Sequence, residues 1–531
     1  MKFPPVVCAA LVLCSCGPVV DSVVITGDGF ASGDLAGFYA AERAFVESFF
    51  AGTEDEGPAL RLVSRDGARG PFIVMELVSS WIEGGEKALG AFDAPDTFDA
   101  PEGFDGIPLS LAWFVPKDNA LSGRTGTSLA DCLSGGEALV PLSDLKPPDI
   151  ALRVDGLSVE DEGYPLVRLR ALRVRMDSGE EGRPVRGRAA SRIAKKIEAL
   201  TALIRETPSS LPRTAPRVTW IAAGGDVMLD RGAGGILFDE GPAGIFGGTA
   251  EKLAGSDLAL INLEGCVSSR GEKVSKSFNF RFEPKTAKAL AGAGIDAVLV
   301  ANNHIYDYGE SAFLDTLAHL KDARLGILGA GLSDEEASRP AVFEADGTEI
   351  RVYGLASYPR ERNGWDGLSV AAEREKAGIL HAGKGGAEKL VARFSENRDG
   401  APPLCVVLFH GGWEWSRRPD EATRRLYTDL VKSGADLVIG SHPHVVQGFE
   451  WIEGKAVFWS LGNYVFGGME NTDGGEEGLF ITLGYAGNRL VYFEPFALSL
   501  THTRTDIAPA GELETFYRLS RELQNTEDDN E

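Results

Sequence analysis

The sequence predicts an α/β protein, with buried strands covered by helices over its C-terminal half and a smaller α/β domain before them. Three observations predict it. From Arg217 onward, apolar runs recur and each ends in polar residues: VTWIAAGGD, DLALINLEG, DAVLVANNH, LCVVLFHGG, DLVIGSHPH and AVFWSLGN. Helical segments such as SAFLDTLAHLKDA and EATRRLYTDLVKSGA lie between several of them. Continuous Val, Ile, Leu and Ala runs with short connections are the pattern of strands buried on both faces. In such folds ligands gather at the carboxyl ends of the strands, which is where the polar residues fall.

Residues 1–16 read as a signal. Lys2 precedes an apolar run that ends in Leu13–Cys16, LCSC. A basic start, an apolar stretch and small residues describe a secretory leader, too short to span a bilayer. The LCSC segment resembles the bacterial lipobox. That implies a lipoprotein with Cys16 as the lipidated first residue, held at the cell envelope and touching the membrane through its lipid only.

Residues 17–180 form an N-terminal α/β domain, with runs such as SVVITG, FIVMELV and LSLAWFV between helical patterns and turns. Leu109–Gly136, followed by YPLVRL from Tyr164, resembles the phosphate-type solute-binding proteins, in which a strand leads to a proline and then a helix. An unrelated α/β accessory domain fits the same pattern. Residues 181–216 read as a basic linker with a helix: RPVRGR, then Ile193, Ile197, Leu200 and Ile204 at helical spacing, then PSSLPRTAPR. The main domain is placed at 217–500. Its last strands, GLFITLGYAG and RLVYFEPFALSL, are expected to complete a second sheet. Residues 501–531 are a C-terminal helix and an acidic tail, the tail free from Asn525.

A chain of 531 residues exceeds one ordinary core, which agrees with this division. A formal charge of −25 argues against nucleic acid and against an anionic membrane surface as partners. Beyond Cys16, Cys132, Cys266 and Cys405 are too few and too dispersed for a disulfide framework, and Cys405 reads as a buried thiol. No P-loop is present. Ser441 leads into histidines rather than standing in a G-x-S-x-G elbow.

The strand ends display Asp226, then Asn262 and Glu264, then Asn302, Asn303, His304 and Asp307, then His410 and Glu414, then His442 and His444, then Asn463. Four of the seven histidines thus fall at strand ends among carboxylates and amides. One such histidine is ordinarily structural. Several on the same side of a sheet point to a shared ligand. Asp226, Glu264, Asn303, His410, His442 and His444 offer enough nitrogen and oxygen donors for one or two divalent ions, Mn, Zn, Fe or Mg. His442 and His444 are expected on one face of an extended segment stiffened by Pro443.

GDVML, NLEG, NNHxxDxG, HGGxEW, GADLVIGSHPHVVQ and VFWSLGNYVF, in this order over 217–497, resemble the CapA family. These are poly-γ-glutamate capsule biosynthesis proteins whose domain is related to the calcineurin-like metallophosphoesterases. The resemblance implies a metallophosphoesterase-like two-sheet sandwich flanked by helices (αββα). It implies Asp226 as the first metal-binding aspartate, Glu264 as the bridging acid, Asn303 as the amide ligand, and His410, His442 and His444 as further ligands. His304 becomes the general acid and Asp307 its orienting carboxylate. The histidine expected two residues after the first aspartate is Met228 here, which puts strict dinuclear chemistry in doubt.

KSFNFRFEP, Lys276 to Pro284, also resembles a family segment. Lys276 and Arg281 would receive an anionic substrate, with Asn262, Glu414 and Asn463 beside them. The implied function is a metal-dependent hydrolase or transferase acting on γ-glutamyl amides, phosphoesters or an anionic envelope polymer, alongside capsule-synthesis machinery. The alternative is a non-catalytic envelope binding protein. A surface this acidic repels a polyanion at long range, which favours a short or mono-anionic substrate.

Overall fold

The computed structural model describes residues 107–134, 137–161, 164, 166–177, 217–361, 365–394, 402–469, 471–501 and 503–528. It adds strand segments at 11–13, 22–27, 61–63 and 72–82 and single helical positions at 194, 197 and 198. Cys16 lies outside the described residues, as does the rest of the expected basic linker. Among the described residues no helix is long and apolar enough to cross a membrane.

The chain divides into two compact units. The N-terminal unit centres on a mixed sheet. Ser22–Gly27 runs parallel to Phe72–Ile82, and Val167–Asp177 runs antiparallel between Phe72–Ile82 and Ile107–Asn119. The solute-binding pattern calls for a helix straight after the proline. Here the strand continues through Pro116 to Asn119, and the next helix is Leu129–Ser134.

The C-terminal unit takes in Arg217–Glu531 with two short insertions, Asp118–Thr125 and Leu145–Ala151. Its strands are β1 (Thr219–Val227), β2 (Leu258–Leu263), β3 (Ala297–Leu299), β4 (Gly326–Leu328), β5 (Ala341–Ala345), β6 (Thr348–Ser357) and β7 (Leu404–Gly411). They continue with β8 (Leu437–Ser441), β9 (Phe449–Ile452), β10 (Lys455–Phe458), β11 (Asn463–Val465), β12 (Glu477–Ala486), β13 (Arg489–Thr501) and β14 (Arg504–Ile507). Its longer helices are α1 (Ala233–Phe246), α2 (Gly309–Asp322), α3 (Glu421–Ser433) and α4 (Glu514–Asp528).

One sheet has the order β4-β3-β2-β1-β12-β13-β14, with β11 also pairing β1. The other has the order β5-β6-β7-β8-β10-β9. β1 to β4 are mutually parallel, as are β6, β7, β8 and β10.

Alternate residues of a strand face opposite sides, and the packing follows that period. On β7, Leu404, Val406 and Leu408 join the large core shared with β1 to β3. Cys405, Val407 and Phe409 join Tyr427, Leu430 and Val431 of α3 on the outer face. This is the αββα sandwich expected of a metallophosphoesterase-like fold. Cys132, Cys266 and Cys405 are free and buried.

Three expectations are corrected. The last strands do not build the second sheet. β12 pairs antiparallel with the edge of β1 that β2 leaves open, so they extend the first sheet. An alternating pattern tells which way a side chain faces, not which strand lies beside it. The boundary expected at 500 falls inside that sheet, because β14 pairs with β13. The tail expected to be free from Asn525 continues α4 through Asp528.

Candidate metal centre

The carboxyl ends of the parallel strands meet at one edge of the sandwich. In the first sheet Asp226 of β1 stands level with Asn262 of β2 and Asn463 of β11. In the second, His410 of β7 stands level with Ser441 of β8. β1 reaches this position because Gly225 lies against β11: a Cβ there would sit 2.0 Å from the Gly462 carbonyl oxygen.

Every expected ligand is buried: Asp226, Glu264, Asn303, His410, His442 and His444. Ligand atoms of Asp226, Glu264 and His410 lie within 4.8 Å of one another, and so do those of Glu414, His442 and His444. The Asn303 side-chain oxygen is 3.0 Å from His410 Nε2. His444 Nε2 is 3.6 Å from Glu264 Oε1, and its Nδ1 is 3.3 Å from Asp226 Oδ2. Glu264 Oε1 and His442 Nδ1 are buried with no hydrogen-bond partner among the described residues. Buried polar atoms are rarely left so. These orphaned atoms, in a donor set of imidazole and carboxylate, fit a divalent cation.

The site's charge state agrees. Burial, and then the charge of Asp226, holds the Glu264 carboxyl well above the ordinary range. Burial, and then the neighbouring imidazoles, holds His410 and His442 well below theirs, so they are neutral, the form that ligates. For His444 burial opposes the charged ring, but Glu264 and Asp226 outweigh it and hold it up to about 10.

His304 stands beside this cluster. Its Nδ1 is 2.6 Å from Asp307 Oδ2, and its Nε2 is 3.8 Å from Glu264 Oε1. The Phe280 ring lies against it, with centroids 4.3 Å apart. Asp307 also accepts from the Phe280 N–H at 2.7 Å and pairs with Lys276 at 3.0 Å. A carboxylate so fixed sets the ring's orientation and leaves Nε2 facing the centre. Burial, outweighing Asp307, lowers the pKa of His304.

Burial and hydrogen bonding tell against three of the substrate-binding assignments, Lys276, Asn262 and Asn463. Lys276 is not a free receiver: its side chain is 1% exposed and lies between Asp307 and Glu361, 3.0 Å from each. Its ammonium also donates to the Asn303 carbonyl at 2.6 Å. Asn262 is buried, and its amide donates to Asp226 at 2.8 Å and approaches Glu264 and His410. Asn463 is buried, with Oδ1 2.9 Å from His444 Nδ1. Both asparagines contact expected ligands, Asp226 and His444, rather than line a cleft. Arg281 packs its guanidinium 4.0 Å from the Tyr308 ring, while its backbone N–H donates to Asp230. Glu414 is exposed and belongs with His442 and His444.

The segment carrying those two histidines is not extended. His442 has φ 98° and His444 φ 59°, both in the left-handed region. Such backbone costs about 1–3 kcal/mol per residue and clusters at functional sites. It is held by the His442 N–H donating to Asp226 Oδ2 at 3.2 Å and by the Asn463 amide donating to the His444 carbonyl at 3.3 Å. Sequence reasoning missed Glu361, which lies in the loop YPRERNGW with no motif to mark it. Trp415, the last residue of the HGGxEW motif, stands beside this segment, with its ring centroid 5.5 Å from that of His444.

The profile of the family described as "Bacterial capsule synthesis protein PGA_cap" matches residues 220–468. Residues 220–468 belong to the CapA family. The capsule biosynthesis protein CapA of Bacillus anthracis is 28% identical over 248 residues, covering 46% of this chain and 58% of that protein. The PGA biosynthesis protein CapA of Bacillus subtilis is 29% identical over 245 residues, covering 46% of this chain and 62% of that protein. The chain therefore spans roughly three-fifths of the length of these two CapA proteins. A probable polyglutamine synthesis accessory protein of Mycobacterium tuberculosis is 26% identical over 355 residues, 58% of this chain and 92% of that protein. Among solved structures, a calcineurin-like phosphoesterase of B. subtilis aligns at 14% identity and TM-score 0.33, covering 54% of this chain and 94% of its own.

Proposed function

We propose that this CapA-type domain is a metal-dependent hydrolase or transferase acting on an envelope polymer or its precursors, of poly-γ-glutamate type. One observation carries the reading. Two groups of candidate ligands share one edge of the sandwich, buried but for Glu414, and an imidazole fixed through Nδ1 turns its Nε2 toward Glu264. Asp226, Glu264, Asn303 and His410, with His442 and His444, would hold the cation. A divalent ion there would supply Lewis-acid activation of water and of the scissile group. His304 would give a proton to the leaving group from Nε2, while Asp307 steadies the ring and its charge. Asn262 and Asn463 would keep the ligands aimed. Phe280 keeps water off one face of His304.

The substrate class is a γ-glutamyl amide or a phosphoester of low charge, because the acidic surface disfavours a long polyanion. An anchor at Cys16 would set the domain at the envelope face, with contact to capsule-synthesis machinery and none to nucleic acid. One observation favours a non-catalytic binding protein instead. Met228 is buried and its sulfur accepts from the Asp230 N–H, so β1 brings only Asp226 to the site. Elemental analysis of purified protein, joined to turnover on γ-glutamyl anilides and nitrophenyl phosphoesters, separates the two. Bound metal with no turnover on any of them would sink the enzyme reading, and protein without metal would sink both its cofactor and its mechanism.

A further inference from the structure

We propose that Glu414 is a metal ligand, completing with His442 and His444 a second cation centre that opens to solvent. The inference rests on the metal-centre reading above and deepens it. The donor atoms divide into two sets. Asp226, Glu264 and His410 form one that is wholly buried, and Glu414, His442 and His444 form another with Glu414 exposed. Glu264 Oε1, of the inner set, is 3.6 Å from His444 Nε2 of the other and has no hydrogen-bond partner among the described residues. His442 Nδ1 is likewise buried without a partner. An unpaired imidazole nitrogen so close to a carboxylate that makes no ion pair with Lys or Arg among the described residues points to a shared ligand. One carboxylate and two imidazoles suit Zn or Mn.

The loop that brings Glu414 is built for that placement. It leaves β7 just past His410 and turns at Gly412, whose φ of 94° glycine adopts without strain. Trp415 follows with φ 65°, and its N–H donates to the Pro443 carbonyl at 2.8 Å. Gln447 donates to the Ser416 carbonyl at 2.7 Å. The loop is thereby tied at Pro443 and at Gln447 to the segment that bears His442 and His444. Trp415 is a bulky residue in a costly conformation. A loop free of function relaxes such a residue, and this one holds it where Glu414 faces the imidazoles.

The two centres differ in exposure, so they differ in exchange. The inner set is shut from water, and the outer has a ligand on a solvent-facing loop. The inner ion is retained through desalting, and the outer ion equilibrates with the buffer. Glu414 thus supplies the donor that β1 withholds by carrying Met228.

The test uses the full chain, stripped with chelator and titrated with Mn²⁺ or Zn²⁺ by calorimetry, with metal-to-protein ratios from elemental analysis. Wild type shows a tight and a weaker event. In Glu414→Gln the tight event is unchanged. The weaker one is lost, or weakened beyond the roughly 10–100-fold that removal of an outer-shell partner costs. Glu414 is exposed, so the stripped variant melts with stripped wild type, which separates ligand loss from misfolding. A variant that still binds the second ion with wild-type affinity overturns the proposal, as does a wild type that binds one ion only. Wild type that binds no ion defeats the underlying metal reading instead.

Discussion

Replacing Lys276 by Met separates a positioning cation from a substrate receiver. The Lys276 side chain is 1% exposed and meets two carboxylates at 3.0 Å each, Asp307 being fully buried and Glu361 partly so. Methionine keeps the volume of the stem but leaves Asp307 and Glu361 without that cation. Breaking a buried pair in this way costs about 3–5 kcal/mol. At about 2 °C per kcal/mol for a unit of this size, melting falls by roughly 6–10 °C. Arg504→Ala is the reference. Its pair with Glu240 has both side chains about half exposed, at 47% and 49%, and such solvent-screened pairs contribute little to stability. Calorimetry of both variants, with the double variant Lys276→Met/Asp307→Asn, closes the comparison. The double variant recovers part of the loss, because the buried charge is gone with its partner. If Lys276→Met melts no lower than Arg504→Ala and only raises KM, the ion-pair account is wrong and Lys276 receives substrate.

His304→Ala retains the wild-type metal ratio and loses about 10²–10⁴-fold in turnover, the usual share of a general acid; full turnover on a cleaved substrate refutes the assignment. Chelation lowers the melting temperature, and free metal at 1,000 times its Kd restores about 4 kcal/mol of stability; identical melting of stripped and loaded protein removes the metal from the folded state. Arg270→Ala tests a pair away from the centre. The Arg270 guanidinium holds the Asp315 carboxyl down at about 2, below its unfolded value near 3.9. A depressed folded pKa gives stability that is present above the unfolded value and lost as pH falls through the folded one. The melting difference between wild type and Arg270→Ala is therefore full above about pH 5 and gone by about pH 1. A difference that persists undiminished down to about pH 1 contradicts the pairing.

Parallel strands buried on both faces are written as unbroken apolar runs, so their ends are visible as the first polar residues. That is why Asp226, Glu264, Asn303, His410, His442 and His444 are found by reading alone, and why they converge once β1, β2, β3, β7 and β8 share a direction. Other features leave no such mark. Lys276 sits among polar residues in a loop and reads as surface. Only the folded chain brings Asp307 and Glu361 around it, from segments 31 and 85 residues further on. Asn262 and Asn463 have the composition of substrate contacts. Their hydrogen bonds to Asp226 and toward His444 appear only when β1, β2 and β11 lie side by side. Nothing in Ser-His-Pro-His demands φ above zero at two histidines.

That strain has a consequence for how the centre is built. Trp415, His442 and His444 all hold left-handed backbone within one pair of loops. At about 1–3 kcal/mol each, the cost exceeds what any one hydrogen bond returns. It is met by hydrogen bonds that exist without a cation: the His442 N–H on Asp226, the Trp415 N–H on Pro443 and the Asn463 amide on the His444 carbonyl. The imidazoles are therefore aimed by the protein's own hydrogen bonds, and a cation would enter a site already shaped for it. Asn463→Ala removes one of these supports and the contact to His444 Nδ1 while touching no proposed inner ligand. It should weaken metal binding by roughly 10–100-fold, as loss of a ligand-orienting partner does. Calorimetry showing wild-type affinity in that variant would mean that the metal, and not the fold, sets the geometry of the two histidines.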